Sequence, residues 1–328
     1  MRKYSVLCII DTVRQALVGG KARVAVTESA RRKRWHRDDW ASTFGVEKET
    51  KLEENWPAGT RVAVVLSFDT QGDVDAAIPG TTGTWKNGAV NFADLTQRQY
   101  DIRCGVPRIL ELLAEHGVKA TFPICGITAE WYPETVREIQ AAGHEVAVHG
   151  HWHLLFNTLA PEEQRRDIED GTKAVADALG EQPKGFVSPV FSTTSDSFDK
   201  MLELGYLWNS DFDNDDLPYL LEKNGKTIVQ LPVGLNDWDL WLMQDALGAR
   251  MGGVPYASPS NVTDVLTSQF DQLYKESARE PRIFHYTLHP KITGRPYRAW
   301  SLGKFIEHAK SHDGVWFCTA SDVAKLCV

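Results

Sequence analysis

From Arg61 almost to the C-terminus, short aliphatic runs alternate with stretches whose apolar residues recur three and four positions apart. Val62–Leu66, Ala120–Ile124, Glu145–Val148, Gly185–Ser188, Ile283–Leu288 and Val315–Cys318 read as core strands, with shorter ones near Leu207 and at Ile228–Leu231. Between them, Gly105–His116 carries Val106, Ile109, Leu110 and Leu113 at helical spacing and is stopped by Gly117. Pro133–Ala142 and Pro161–Leu179 open on proline, Ser195–Leu204 closes on Gly205, and Val262–Ala278 and Leu302–Ser311 complete the helices. This alternation predicts an α/β fold with a parallel sheet, closed or nearly closed, and helices outside it. In such folds chemistry gathers at the carboxyl ends of the strands.

Residues 1–56 differ from the rest and read as an N-terminal extension to a catalytic unit at 57–328. Arg31-Arg32-Lys33-Arg34 is basic, and Lys48–Asn55 is charged without apolar periodicity. A basic run is more often a solvated face than a nucleic-acid site. The net charge of -8 over 328 residues agrees, because phosphate binding needs a basic surface. The five cysteines, Cys8, Cys104, Cys125, Cys318 and Cys327, are odd in number and widely spread, so neither a disulfide framework nor a thiolate metal cluster is indicated. The basic start Met1-Arg2-Lys3 leads into an apolar run that Asp11 ends short of signal-peptide length, and no stretch could span a membrane. A cytoplasmic protein is expected.

The richest segment is Gly143–His153, where the strand Glu145–Val148 runs directly into His149, His151 and His153. Neutral imidazole is the commonest metal ligand, and zinc accepts it with low geometric demand. A helical turn after Gly150 would put His149 and His153 on one face, whereas an extended chain would align His149 with His151. A polar loop whose histidines merely cap the strand is the alternative. Asp69-Thr70-Gln71-Gly72-Asp73, at the exit of the first core strand, places two carboxylates around a glycine turn. Metal-assisted hydrolysis requires an ion, a base for the attacking water and an acid for the leaving nitrogen. Asp73, His149 and His153 form a candidate metal set, with Asp69 as base and His289, at another strand exit, as acid. For Asp73 and Asp75 a solvated loop is the alternative, and for His289 a hydrogen-bonded core histidine. Asn236–Trp241 could wall a ligand pocket with Trp238 and Trp241, or simply pack. Arg295 could hold an anionic or carbonyl group, or form an exposed ion pair.

These residues resemble the polysaccharide deacetylase family, also called carbohydrate esterase family four or NodB-homology proteins, over about residues 60–328. Val64–Asp69 resembles its first motif, His149–His153 its HxxxH motif, Gly185–Pro189 its third motif and Thr287–Pro290 its late histidine motif, while Asp237 with Trp241 echoes its fourth. The resemblance implies a distorted TIM-like (β/α)7 barrel. It also implies hydrolysis of carbon–nitrogen bonds, commonly of N-acetyl groups on amino sugars, with zinc or a related divalent ion. Two departures stand out. Thr70 follows Asp69 where polysaccharide-acting members have a second aspartate, leaving Asp69, Gln71 and Asp73 as alternatives for the third ligand. Val187 or Ser188 stands where those members place arginine. Both features resemble the branch of cytoplasmic peptidoglycan deacetylase-like proteins, cyclic imide hydrolases and allantoinase-like enzymes, which act on small amides and imides, form dimers or tetramers, and in some cases work without metal.

The sequence therefore predicts a zinc-type amidohydrolase acting on a small amide, imide or ureide. Further candidate substrate contacts are His151, Trp152 and Pro189. Deacetylation of an amino-sugar polymer is one alternative, and a family-shaped binding protein without turnover is another. The expected partners are substrate and further copies of the chain, not nucleic acid or membrane.

Overall fold

Among the residues described by the computed structural model (45–46, 48–51, 56–74, 85–86, 89–90, 92–233 and 259–328), the strands are β1 (Lys48–Lys51), β2 (Val62–Phe68), β3 (Trp85–Lys86), β4 (Ala89–Val90), β5 (Thr121–Ile124), β6 (Glu145–Val148), β7 (Gly185–Phe186), β8 (Trp208–Asn209), β9 (Tyr219–Lys223), β10 (Lys226–Gln230), β11 (Arg282–Leu288) and β12 (Val315–Cys318). The helices are α1 (Phe92–Tyr100), α2 (Val106–His116), α3 (Gly126–Trp131), α4 (Pro133–Ala141), α5 (Pro161–Leu179), α6 (Ser195–Leu204), α7 (Pro259–Glu276), α8 (Pro290–Thr293), α9 (Pro296–Lys310) and α10 (Ala320–Ala324). A π-helical turn, Asp101–Gly105, joins α1 to α2. The basic cluster at 31–34, Asp75, Trp238 and Trp241 lie outside the described residues.

Seven strands run parallel in the order β11-β2-β5-β6-β7-β8-β10, and β12 pairs with the first half of β2. This is the curled α/β half-barrel expected of the (β/α)7 type. The open side is bridged by a side chain: His285 on β11 donates from Nδ1 to the Pro232 carbonyl beyond β10 at 3.2 Å and accepts from Ser67 Oγ at 2.9 Å. Burial lowers the His285 pKa to about 4, so it stays neutral and can play both parts.

Two strands extend the sheet beyond the expected set. β9 runs antiparallel to β10, and β1 runs antiparallel to β9. The charged stretch before residue 57 thus supplies an edge strand, where one row of backbone groups can face water and apolar periodicity is not required. α9 starts at Pro296, six residues before the expected Leu302, because proline suits the first helical turn and the helix buries polar as well as apolar residues, including Arg298 and Ser301.

Side-chain alternation divides the sheet into two faces. Val62, Val64, Leu66 and Phe68 of β2 pack outward into the core beneath the helices. Ala63 and Val65, with Ala147 of β6, Trp208 of β8, Val229 of β10 and Ile283 of β11, fill the barrel interior. Continuing the inward parity two residues at a time reaches Ser67 and Asp69 on β2, His149 on β6, and His285, Thr287 and His289 on β11. Since β11 and β2 pair Thr287 with Ser67 and Leu288 with Phe68, one further step sets His289 level with Asp69. At the opposite end, half-buried Glu145 accepts from Trp208 Nε1 at 2.9 Å, Thr121 Oγ1 at 3.0 Å and Ser321 N at 2.9 Å, and from Ser321 Oγ. This closes the barrel floor with a satisfied carboxylate.

Candidate active site

Asp69, His149 and His289 meet at the carboxyl ends of β2, β6 and β11, exposed by only 3 %, 1 % and 3 %. Asp69 Oδ2 lies 3.8 Å from His149 Nε2. The Asp69 backbone N–H donates to Leu288 O at 2.8 Å and that of His149 to Ile124 O at 2.9 Å, so both leave their strands in ladder register.

His149 and His153 come together with ring centroids 5.1 Å apart, although the chain between them is neither helical nor extended. The turn is made by Gly150 at φ 67° and by His153 itself at φ 55°. A non-glycine residue in that region is strained and must be held by its surroundings. Asp167 of α5 does this, accepting the His151 and Trp152 backbone N–H groups at 2.8 and 3.1 Å. His151 does not join the pair. Its ring lies against Gly126 of α3 and edge-on to Trp152, and Trp152 packs onto Val74, Cys125 and Ile127. Pro189 packs against Gly150.

The loop after β2 resolves differently from its expected reading. Asp73 accepts from Tyr132 OH at 3.1 Å and from Gln99 Nε2 at 3.5 Å, while the side chain meeting His153 is Gln71, with Nε2 atoms 2.9 Å apart. Gln71 Oε1 in turn accepts from Lys291 Nζ. Arg295 stacks on the Tyr100 ring, 3.5 Å from its centroid, and so sits against α1.

Three buried acids support the site, and none was identified from sequence. Asp167 lies in a highly charged helix, but its spacing with Gln164, Ile168 and Gly171 marks the buried face. Asp211 accepts from Ser188 N at 2.7 Å, Ser188 Oγ at 2.5 Å and Asn209 Nδ2 at 2.8 Å, fixing the segment before Pro189. Asp101, in the π-helical turn, accepts the Gln71 and Gly72 N–H groups at 3.0 and 2.6 Å. For Asp101 and Asp211 no local pattern signals the partner.

Burial raises the Asp101 pKa from 3.8 to about 6, opposed by Lys291 and by the backbone donors. The folded state therefore holds this proton more tightly than the unfolded chain. Ionisation carries no net cost below 3.8 and its full cost above about 6. Stability should fall across that window by at most roughly 3 kcal/mol relative to Asp101→Asn. Urea melts of both proteins at pH 4.5 and 7 check this, and a constant difference between them would contradict it.

Close helix packing also positions the histidines. A Cβ on Gly171 of α5 would lie 2.7 Å from the Gly150 carbonyl carbon and oxygen and 3.0 Å from His151 N. These are backbone atoms that cannot rotate aside. Gly171→Ala should cost about 1–3 kcal/mol and, by shifting the turn between His149 and His153, lower hydrolysis about 10²-fold. Unchanged kcat/KM in this variant would show that the turn tolerates displacement.

The donor chemistry suits a divalent cation. His149 Nδ1 donates to Val187 O at 2.9 Å, which leaves the lone pair on Nε2. That Nε2 is buried without a hydrogen-bond partner and faces the Asp69 carboxylate. Burial, reinforced by His153, His289 and Lys291, holds the His149 pKa well below its ordinary value, so the imidazole remains an unprotonated donor. An electron pair and a carboxylate opposed across 3.8 Å are donors of the kind that suit a positive ion.

A half-barrel with a carboxylate and imidazoles gathered at its strand ends is an arrangement that suits hydrolytic chemistry. Comparison with known proteins makes the class specific. Residues 86–208 match the polysaccharide deacetylase family model. A Schizosaccharomyces pombe protein whose name places it among the polysaccharide deacetylases is 30 % identical over 296 residues, covering 82 % of this chain and 91 % of that protein. The Helicobacter pylori peptidoglycan deacetylase is 24 % identical over 275 residues, covering 77 % and 92 %. The crystal structure of the Puue allantoinase superposes with a TM-score of 0.72 at 25 % identity, covering 83 % of this chain and 92 % of that one. The chain belongs to the polysaccharide deacetylase family, hydrolases of carbon–nitrogen bonds. Among the described residues, no helix is long and apolar enough to cross a membrane.

Proposed function

We propose that this protein is a metal-dependent hydrolase of a non-peptide amide, cyclic imide or ureide in a small molecule. The observation that carries this reading is the buried pairing of Asp69 with the lone pair of His149, with His153 and His289 beside it. Groups exposed by so little suit a substrate that enters whole. The allantoinase likeness supports a small substrate as well.

His149 and His153 would hold the ion, with Asp69 as the nearest carboxylate and Gln71 turning away from His153. Zinc fits the two imidazoles and one carboxylate. A bound ion supplies carbonyl polarisation and a lowered pKa for water. Asp69 accepts the proton of the attacking water, and His289 delivers one to the departing nitrogen. Lys291, held beside the site by Gln71, adds positive charge where oxyanion charge develops. Asp73, engaged by Tyr132, supports the loop.

Deacetylation of an amino-sugar polymer is the second reading, favoured by the likeness to the peptidoglycan deacetylase. Turnover of cyclic imides, allantoin-like ureides, aryl amides and chitooligosaccharides should separate the two, with activity lost on chelation and restored by zinc. His153→Ala should fall by at least about 10²-fold on the preferred substrate. Turnover insensitive to both chelator and this substitution would remove the histidine pair from the reaction.

A further inference from the structure

A second cluster of metal-ligating side chains lies at the opposite end of the barrel. Asp271 of α7, His308 in the last turn of α9, and His312 just beyond that helix bring one ligand atom each within 4.8 Å of one another. Asp271 Oδ1 is 2.6 Å from His308 Nε2 and 3.8 Å from His312 Nε2, and the two imidazole centroids are 4.9 Å apart. α9 starts just after His289 at the strand carboxyl ends and runs back to β12, so the cluster faces away from the catalytic mouth.

The orientation of His312 is set by the backbone. Its Nδ1 donates to the His308 carbonyl at 3.0 Å, which leaves the lone pair on Nε2, aimed at the Asp271 carboxylate. Aromatic packing fixes the rings: Phe270 lies edge-on to His308 and His312 at 5.9 and 5.2 Å, and Tyr274 meets His312 at 4.6 Å. Tetrahedral zinc with contacts of about 2.0–2.2 Å wants its donors roughly 3.3 Å apart. The observed 2.6 and 3.8 Å bracket that separation. In the metal-free form His308 donates its Nε2 proton to Asp271; coordination requires only the tautomer with that proton on Nδ1. The side chains are 52 %, 33 % and 25 % exposed, which leaves room for water as a fourth ligand.

We propose that Asp271, His308 and His312 form a second, structural site for a zinc-like divalent cation that fastens α7 to α9. Barrel faces at the amino ends of strands serve stability, and the site has no part in hydrolysis.

The test uses the full-length chain carrying His149→Ala and His153→Ala, stripped of metal and titrated with zinc by calorimetry. One equivalent should still bind, and zinc should raise the melting temperature. Adding His308→Gln and His312→Gln should abolish both effects, and Asp271→Asn should weaken them. In the otherwise unaltered chain, His308→Gln with His312→Gln should leave amide hydrolysis unchanged while lowering bound zinc by one equivalent. No binding in the His149→Ala, His153→Ala background, or binding indifferent to the glutamine substitutions, overturns the proposal. Because the histidines proposed to hold the hydrolytic ion are absent from that background, failure there is separable from failure of the catalytic reading.

Discussion

Asp69→Asn should lower kcat/KM for amide hydrolysis by about 10²–10⁴-fold, the usual contribution of a positioned base. The substitution keeps the side chain's shape and the Asp69 N–H to Leu288 O bond, so the sheet should remain intact. It removes the negative charge facing His149 Nε2, and with it both the proton acceptor and the nearest carboxylate for a cation. Activity and zinc affinity should therefore fall together, with the urea midpoint nearly unmoved. His289→Ala should slow turnover while leaving zinc affinity largely intact, because the proposed role of His289 is to deliver a proton. Retention by Asp69→Asn of more than about a tenth of wild-type activity would be incompatible with general-base catalysis at this position.

The largest loss of stability is expected where β7 meets the indole of Trp208. A Cβ on Gly185 would lie 1.9 Å from Trp208 Cε2 and 2.0 Å from Cζ2, so Gly185→Ala must displace an indole that is fully buried. Overpacking alone costs about 1–3 kcal/mol. Displacement also breaks the Trp208 Nε1 bond to Glu145 at 2.9 Å, and a half-buried carboxylate losing a donor adds roughly 1–2 kcal/mol. Gly185→Ala should thus lose about 2–5 kcal/mol by denaturant melt. Pairing it with Trp208→Ala should give a double-mutant cycle that is clearly non-additive, since both substitutions act on the same contact. Additive losses would mean that the clash is relieved elsewhere.

Most strand positions were legible because burial on both faces writes a local signature. β2, β5, β6 and β11 emerged from aliphatic runs, half-buried β12 from a short apolar run, and α2, α4, α5 and α6 from three- and four-residue spacing bounded by proline or glycine. β1 left no such trace. As an edge strand it draws its stability from backbone pairing with β9, which Lys48–Lys51 can provide without apolar side chains. The early start of α9 was hidden because a helix buried on several sides need not be amphipathic.

The loops show where local reading ends. Spacing suggested that His149 and His153 share a site, and they do meet, by a turn rather than by a helix. Spacing equally offered Asp73 as their partner, yet Tyr132 and Gln99 hold that carboxylate and Gln71 meets His153. Asp69, Gln71 and Asp73 alternate along a short stretch; which of them faces the histidines depends on Asp101 clamping the loop from thirty residues away.

By itself, the order of residues determined the strand parity: Asp69, His149 and His289 must all point inward once Ala63, Ala147 and Ile283 do, because successive side chains take opposite faces. Only the tertiary structure decided their levels and their neighbours. Height within the barrel is set by the register between strands more than two hundred residues apart in sequence, and loop contacts by buried acids on other elements. Alternation is a property of the local backbone, whereas register and loop path minimise the free energy of the whole packed sheet.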